Sequence, residues 1–156
     1  MIIEEILKIE NHPIEDEIGK LENDLYDEFR GGRDRNDILI LLNSDIDSMR
    51  YYGCDILNET RINNIYLVKK IMDKLCEILK KDNSDMNRLR AFHALYGVYL
   101  DNEDIIGLFH LCEEMKSNEE SMIKRDAIQF LEKYNTAPLN FTFQEFKNHL
   151  FNNNFF

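Results

Sequence analysis

His12, His93, His110 and His149 are the side chains of this sequence best suited to acid–base or metal chemistry, and none stands in a ligand spacing. The helical motif H-E-x-x-H needs two imidazoles one turn apart with a glutamate between them, and it is absent. His110 is followed by Cys112 and Glu113, which bring no second ligand with them; His93 and His110 read as satisfied core or groove residues. Cys54, Cys76 and Cys112 lie far apart in apolar, helix-patterned stretches, with no close pair to make a zinc knuckle or a redox dithiol. They read as small core residues of a reducing compartment, with a cysteine–histidine nucleophile made in space left open. Gly31-Gly32-Arg33 matches neither G-x-G-x-x-G nor G-x-x-x-x-G-K-[ST], so no loop of backbone amides is expected to cradle a phosphate. No catalytic residue, metal or cofactor is expected, and the chain is read as a non-enzyme.

Charge is the stronger signal. The 156 residues hold 30 Asp+Glu against 19 Lys+Arg, a formal charge of −11. A surface of that sign repels phosphate backbones and anionic headgroups, so neither direct nucleic-acid binding nor membrane-surface binding is expected, and a basic protein partner is. The excess is uneven. The first thirty residues carry ten acids (Glu4, Glu5, Glu10, Glu15, Asp16, Glu17, Glu22, Asp24, Asp27 and Glu28) against Lys8, Lys20 and Arg30, and so seven of the eleven net charges. Taken singly, each acid reads as part of the solvated face of an amphipathic helix. Taken together they make a field that steers a cationic protein and supplies rim contacts. Arg30, Arg33 and Arg35 are expected to neutralise acids near them. Asp101, Glu103, Asp104, Glu113 and Glu114 form a second acidic group, part of which helix capping explains. No apolar run approaches the ~18 residues that cross a bilayer, and Met1-Ile2-Ile3-Glu4-Glu5 has acids where a leader needs bases, so a cytoplasmic chain is expected.

Six glycines, two prolines and apolar residues recurring every three or four positions predict an all-α chain of single-domain length, 1–156. Ile2, Ile3, Ile6, Leu7 and Ile9 predict a first short helix, and Asn11-His12-Pro13 a break. A second helix carries Ile14, Ile18, Leu21, Leu25 and Phe29 on one stripe and stops at Gly31-Gly32. These acidic N-terminal helices fill residues 1–30. Over 34–134 three helix pairs follow: Asp37 to Leu42 with a helix capped by Ser44-Asp45; about Ile62 to Lys81, its core face running from Ile62, Ile65 and Tyr66 to Leu79, with a helix capped at Asn83-Ser84-Asp85; and a pair opened by Asp101-Asn102-Glu103-Asp104 and Ser117-Asn118-Glu119-Glu120. Over 135–156, Ala137-Pro138 breaks the chain, Thr142 caps a last helix of Phe143, Phe146, Leu150 and Phe151, and Asn152-Asn153-Asn154 frays.

The second members of the three pairs overlay. Ser44-Asp45-Ile46-Asp47-Ser48-Met49-Arg50 matches Ser84-Asp85-Met86-Asn87-Arg88-Leu89-Arg90, and more weakly Asn118-Glu119-Glu120-Ser121-Met122-Ile123-Lys124. In this register Arg50, Arg90 and Lys124 are spaced by 40 and 34 residues, and Gly53, His93 and Ala127 coincide. A polar turn, an acid at the helix start, an apolar residue followed by a base and then small residues resembles the second helix of a HEAT repeat. The resemblance covers about residues 37 to 134 and implies antiparallel helix pairs forming a small right-handed α-solenoid with extra N- and C-terminal helices.

Seven tyrosines and ten phenylalanines complete the picture, with Tyr51, Tyr52, Tyr96 and Tyr99 on the helices that line the concave side of such a stack. Asp47, Tyr51 and Asp55 share one helical stripe. Glu15, Asp16, Glu22, Asp24, Asp27, Asp47, Tyr51, Asp55, Asp101 and Asp104 are therefore the expected partner-binding residues. A small, acidic, HEAT-like chain rich in Ile, Asn and Lys resembles the immunity proteins of bacterial contact-dependent growth inhibition systems. That resemblance implies a non-enzymatic inhibitor that covers the active site or substrate path of a cognate toxin domain, commonly a basic nuclease, as a monomer in a 1:1 complex. A HEAT-like adaptor without a toxin is the alternative. A HEAT-fold base-excision glycosylase would need a basic groove for its duplex, which this charge opposes.

Overall fold

The computed structural model describes residues 1–151, and every regular element among them is helical. In chain order these are α1 (Ile2–Glu10), α2 (Glu15–Arg30), α3 (Asn36–Leu42), α4 (Asp47–Leu57), α5 (Ile65–Lys81), α6 (Asp85–Asp101), α7 (Ile105–Met115), α8 (Ser121–Thr136) and α9 (Phe143–Phe151). The chain is an all-α bundle of stacked helices. It divides into two compact units, Met1–Val98 and Tyr99–Phe156, with the boundary inside α6. Asn152-Asn153-Asn154 and the two phenylalanines after them lie outside the described residues.

In the first unit α1 packs on α2, α3 on α4, and α3 also on both α1 and α5. The first, third and fifth helices thus form one row. Ile2, Ile6 and Ile9 of α1, Ile38, Leu41 and Leu42 of α3, and Ile71, Leu75 and Ile78 of α5 are buried along it, as a three- and four-residue apolar period requires. The even-numbered helices are joined by polar contacts. Tyr26 of α2 donates to Asp55 Oδ2 of α4 at 2.8 Å, and Asn87 Nδ2 of α6 donates to the Asp47 carbonyl of α4 at 3.1 Å. Asn87 is 2% exposed, so this bond satisfies an amide that water does not reach. Arg50 Nε donates to Asp82 Oδ2 at 2.7 Å, the Asp82 side chain being 2% and the Arg50 side chain 15% exposed.

Several boundaries depart from the sequence reading. Pro13 precedes α2, and Ile14, its N-cap, is 51% exposed; only Leu25, Tyr26 and Phe29 of the second helix are buried, so the apolar stripe works in its C-terminal half. Gly31 caps α2 through its N–H to the Asp27 carbonyl at 2.8 Å, and Gly32 sits at φ +108, where a side chain would be strained. Ser44 does not cap α4. Its Oγ accepts from Ile46 N at 3.1 Å in a turn, and the helix begins two residues later. The long fifth helix starts at Ile65, capped by Asn64, whose side chain accepts from Tyr66 N and Leu67 N; Ile65 and Tyr66 are 76% and 80% exposed, contrary to a core role.

The later start of α4 changes the repeat register. Arg50 donates to Asp47 and to the Ser44 carbonyl, and Arg88 donates to Asp85 and to the Asp82 carbonyl. Each partner lies 38 residues beyond its counterpart. Burial follows the same offset: Met49, Gly53, Cys54, Ile56 and Leu57 correspond to Asn87, Ala91, Phe92, Ala94 and Leu95, all buried. A further 36 residues place Ala91 on Ala127 and Leu95 on Leu131, again buried. Arg50 therefore corresponds to Arg88, not Arg90, and Gly53 to Ala91, not His93, while the match of Gly53 to Ala127 is unchanged. The Ser-Asp pair common to 44–45 and 84–85 misaligns the middle unit by two residues, because only Ser84 stands at a helix start, accepting from Asn87 N at 3.1 Å.

In the second unit α7 packs on α8 and α8 on α9. Asp104 Oδ1 accepts from Gly107 N at 2.8 Å to open α7, following Glu103 at φ 56. Glu120 caps α8 through Met122 N and Ile123 N, and Thr142 caps α9 through Glu145 N at 3.1 Å. Phe109 and Tyr134 lie 4.6 Å apart between ring centroids, Phe130 and Phe146 5.7 Å, and Phe141 and Phe146 5.0 Å, an aromatic cluster that holds α9 in place.

Close packing at the corrected small-residue positions is testable. A Cβ on Gly53 would lie 2.8 Å from Leu42 Cδ2 and 3.2 Å from Leu41 Cβ, so Gly53→Ala is expected to destabilise by about 1–3 kcal/mol, against the helix propensity that favours alanine. Ala91→Leu is expected to cost a similar amount, and a neutral result for either in urea melts would contradict the register. Arg50→Met strands the buried Asp82 carboxylate and is expected to cost about 3–5 kcal/mol in the same assay.

Candidate functional site

The ten residues expected to meet a partner do not form one surface of free acids. Arg33 takes three carboxylates: its Nε donates to Asp37 Oδ2 at 2.9 Å, its Nη1 to Glu28 Oε2 at 2.7 Å and its Nη2 to Glu5, with Cζ 5.4 Å over the Phe29 ring. Arg30 bridges Asp27 and Glu59, the latter at 2.6 Å. Glu4 pairs with the N-terminal amine at 3.3 Å and Glu17 with His12 Nε2 at 3.5 Å. Four of the ten N-terminal acids, Glu4, Glu5, Asp27 and Glu28, therefore have cations beside them, and Asp27 in particular is an intramolecular partner. Asp47 likewise belongs to Arg50, and Asp104 is spent as the cap of α7. Asp101 is exposed at the C-terminal end of α6. The expectation that these arginines neutralise acids holds for Arg30 and Arg33, but Arg35 donates to the Arg33 and Arg61 carbonyls; the local partners were within reach of the sequence, whereas Glu5 and Glu59 come from far along the chain.

Glu15, Asp16 and Asp24 are different. They are exposed along α2 and have no ion-pair partner among the described residues. Near them, at the junction of α2 with α4, the structure brings together Glu22 and Asp55 with two tyrosines that sequence reasoning had not joined to them. Glu22 is hydrogen-bonded to Tyr52, and Asp55 accepts from the Tyr26 hydroxyl. Burial pushes the Glu22 carboxyl up from its ordinary value; the Tyr52 hydrogen bond opposes this, and the charges of Asp55 and Glu10 add to it. Burial likewise raises both phenols, for Tyr26 with the Asp55 hydrogen bond and for Tyr52 with the nearby charges of Glu22 and Glu10, so each remains a hydrogen-bond donor at any ordinary pH. Tyr51 stands edge-to-face with Tyr52, ring centroids 6.2 Å apart, and Arg90 Cζ lies 5.6 Å over the Tyr51 ring. Glu22, Tyr51 and Asp55 thus do meet on the row of α2, α4 and α6, joined there by Tyr26, Tyr52 and Arg90.

The remaining candidate chemistry is quiet. Burial pushes the Cys54 and Cys112 thiols up to about 12, so neither supplies a thiolate near neutral pH. His12 and His149 make local bonds, His12 Nδ1 accepting from Ile14 N at 3.1 Å and His149 Nε2 standing 3.0 Å from Thr136 Oγ1. His93 is half-buried beside Phe92, but His110 is exposed, so a core role for it is not what the fold provides. Among the described residues no group of three or more His, Cys, Asp or Glu side chains could hold a metal ion, and no helix is long and apolar enough to cross a membrane. The chain matches no protein-family model, no curated protein and no solved structure.

The raised pKa of Glu22 has a definite sign in stability. Between the ordinary value of 4.5 and the raised one, the folded chain holds a proton that the unfolded chain has lost, so stability falls as pH rises through that window and Glu22 opposes folding above it. Glu22→Gln keeps an acceptor for Tyr52 and removes the charge. It is expected to raise the melting temperature near neutral pH and to leave it unchanged near about pH 4, where both states carry the proton. Equal shifts at the two pH values would show that the carboxylate is not under this strain.

Proposed function

We propose that this protein is a non-enzymatic inhibitor that binds a basic toxin domain, of which a nuclease is the expected kind, and covers its active site or substrate path. The observation that carries the reading is the set of acids that the arginines leave alone. Arg30 and Arg33 lie at the end of α2, yet their charge is taken up by Asp27, Glu59, Glu5, Glu28 and Asp37, while Glu15, Asp16 and Asp24 stay exposed and uncompensated on the same helix. A surface that must hold RNA or DNA is positive, and exposed carboxylates with nothing else to neutralise are what such a surface attracts. The scaffold reading goes with it. The row of α1, α3 and α5, the polar ties between α2 and α4 and between α4 and α6, and the locks at Arg50 and Arg88 support a HEAT-like solenoid in which α1 and α2 act as a further pair and the even-numbered helices line the binding side.

A HEAT-like adaptor is the second reading, favoured by the tyrosines along the same row. It expects micromolar affinity and weak salt dependence, where inhibition of a basic toxin expects tight binding with an association rate that falls steeply with salt.

Co-expression with the C-terminal domain encoded by the gene immediately upstream tests the function. The expected result is a domain that kills cells alone and copurifies at one-to-one stoichiometry when this chain is present; a harmless or non-binding neighbour would remove the inhibitor reading. Reversing Glu15, Asp16 and Asp24 together to lysine is expected to slow association by about tenfold or more at low salt with a smaller effect on dissociation. An unchanged association rate would show that these acids do not steer the partner.

A further inference from the structure

We propose that the corner formed by Tyr51 of α4 and Arg90 of α6 receives a carboxylate from a protein partner. This deepens the binding role assigned to the row of α2, α4 and α6 and rests on it. Arg30, Arg33, Arg50, Arg88 and Arg125 each hold at least one carboxylate of this chain. Arg35 donates to the Arg33 and Arg61 carbonyls instead, while Arg90 holds neither a carboxylate nor a carbonyl among the described residues, in a chain with 30 acids. Its Nε is buried without a hydrogen-bond acceptor, and its guanidinium carbon lies 5.6 Å over the Tyr51 ring. A guanidinium held by its face on an aromatic ring keeps its N–H groups in its own plane, and a carboxylate takes two of them at once. Nε itself is covered by the chain, so a partner's carboxylate pairs end-on with Nη1 and Nη2, and the tyrosine shields that pair from water.

Neighbouring groups define the partner more closely. Tyr52 lies edge-on to Tyr51 and is bonded to Glu22, and Asp55 holds Tyr26 next to it. The strip therefore runs from two carboxylates through paired tyrosines to an unpaired arginine. A uniformly cationic surface would complement one end and be repelled at the other. The occupant that fits is a basic protein whose contacting patch carries an aspartate or glutamate set beside its cations. Arginine and tyrosine packed together are the residue types that dominate binding energy where they are buried by a partner.

Arg90 Nε–H gives its own nitrogen–proton resonance, which makes the test direct in the isotopically labelled full chain. The probes are the peptide acetyl-Leu-Glu-Leu-Glu-amide and its uncharged analogue acetyl-Leu-Gln-Leu-Gln-amide, in about 0.15 M salt so that the net charge of the chain is screened. The glutamate peptide is expected to move the Arg90 resonance saturably, with a dissociation constant on the order of millimolar, and the glutamine peptide to leave it in place. Arg90→Lys keeps the charge and loses the fork, and is expected to bind the glutamate peptide at least about fivefold more weakly. No shift with the glutamate peptide, equal shifts with both, or undiminished binding to Arg90→Lys would each overturn the site; the first two need no variant to fold. A saturating Arg90 shift combined with an upstream-encoded domain that does not bind would support the carboxylate site and overturn the inhibitor reading. A bound upstream domain with no Arg90 shift would do the reverse.

Discussion

A carboxylate with 2% of its side chain exposed cannot remain ionised unless something opposes its loss of water, and at Asp82 that something is Arg50. Burial works to raise the Asp82 pKa, but the hydrogen bond from Arg50, the one from Ser84 N and the positive charge beside them hold it below its ordinary value. The pair therefore contributes stability near neutral pH that is lost as pH falls through the lowered value. Its position matters as much as its charge. Asp82 ends α5 and turns the chain into α6, so its side chain fixes the start of α6 against α4, while its carbonyl accepts from Arg88 within the same turn. Asn87, five residues later, then reaches the Asp47 carbonyl. Three polar groups out of water thus set the spacing of two helices whose apolar faces alone would tolerate sliding.

That constraint explains which parts of the fold were legible in the sequence. The helical period, the turn residues and most of the caps could be read locally: Asp104, Ser84 and Thr142 act where a polar residue before an apolar run says they should. The register of the repeat could not. Ser44-Asp45 and Ser84-Asp85 are the same dipeptide, yet one makes a turn ahead of a helix and the other opens one. The choice depends on where Arg50 must stand to reach Asp82, a contact 32 residues away. Ile65 and Tyr66 misled for a related reason. They sit at an apolar period, but Asn64 starts the helix beside them and leaves both on the outside.

The acidic surface was legible in amount and not in arrangement. Counting charges correctly located the excess in the first thirty residues, but pairing is a property of the packed helices. Arg33 reaches acids of α1, α2 and α3 at once, and Arg30 reaches Glu59 beyond α4. Each pair removes an acid from the surface that a partner could use, so the field that remains is narrower than composition implies. Glu22 and Asp55 stay in the strip for a different reason. They are hydrogen-bonded to tyrosines, and a carboxylate bonded to a neutral donor keeps its full charge.

Two kinds of group on one face then have separate kinetic consequences for the proposed binding. Glu15, Asp16 and Asp24 are exposed and unpaired, so they act at a distance through water, where their effect is on the rate of encounter and fades with salt. Tyr51, Tyr52, Glu22 and Asp55 are partly withdrawn from water and already oriented by their neighbours. Their effect comes only after contact, when the last water leaves, and it falls on the rate of dissociation. Preorganisation is what makes the second group worth its cost. The raised pKa of Glu22 records that the folded chain holds a carboxylate where it is less comfortable than in the unfolded chain, and a cation brought by a partner is the group that would relieve it. Strain that opposes folding of the free chain is thus available to favour the complex, and it is concentrated at the one junction where α2 and α4 share two tyrosines.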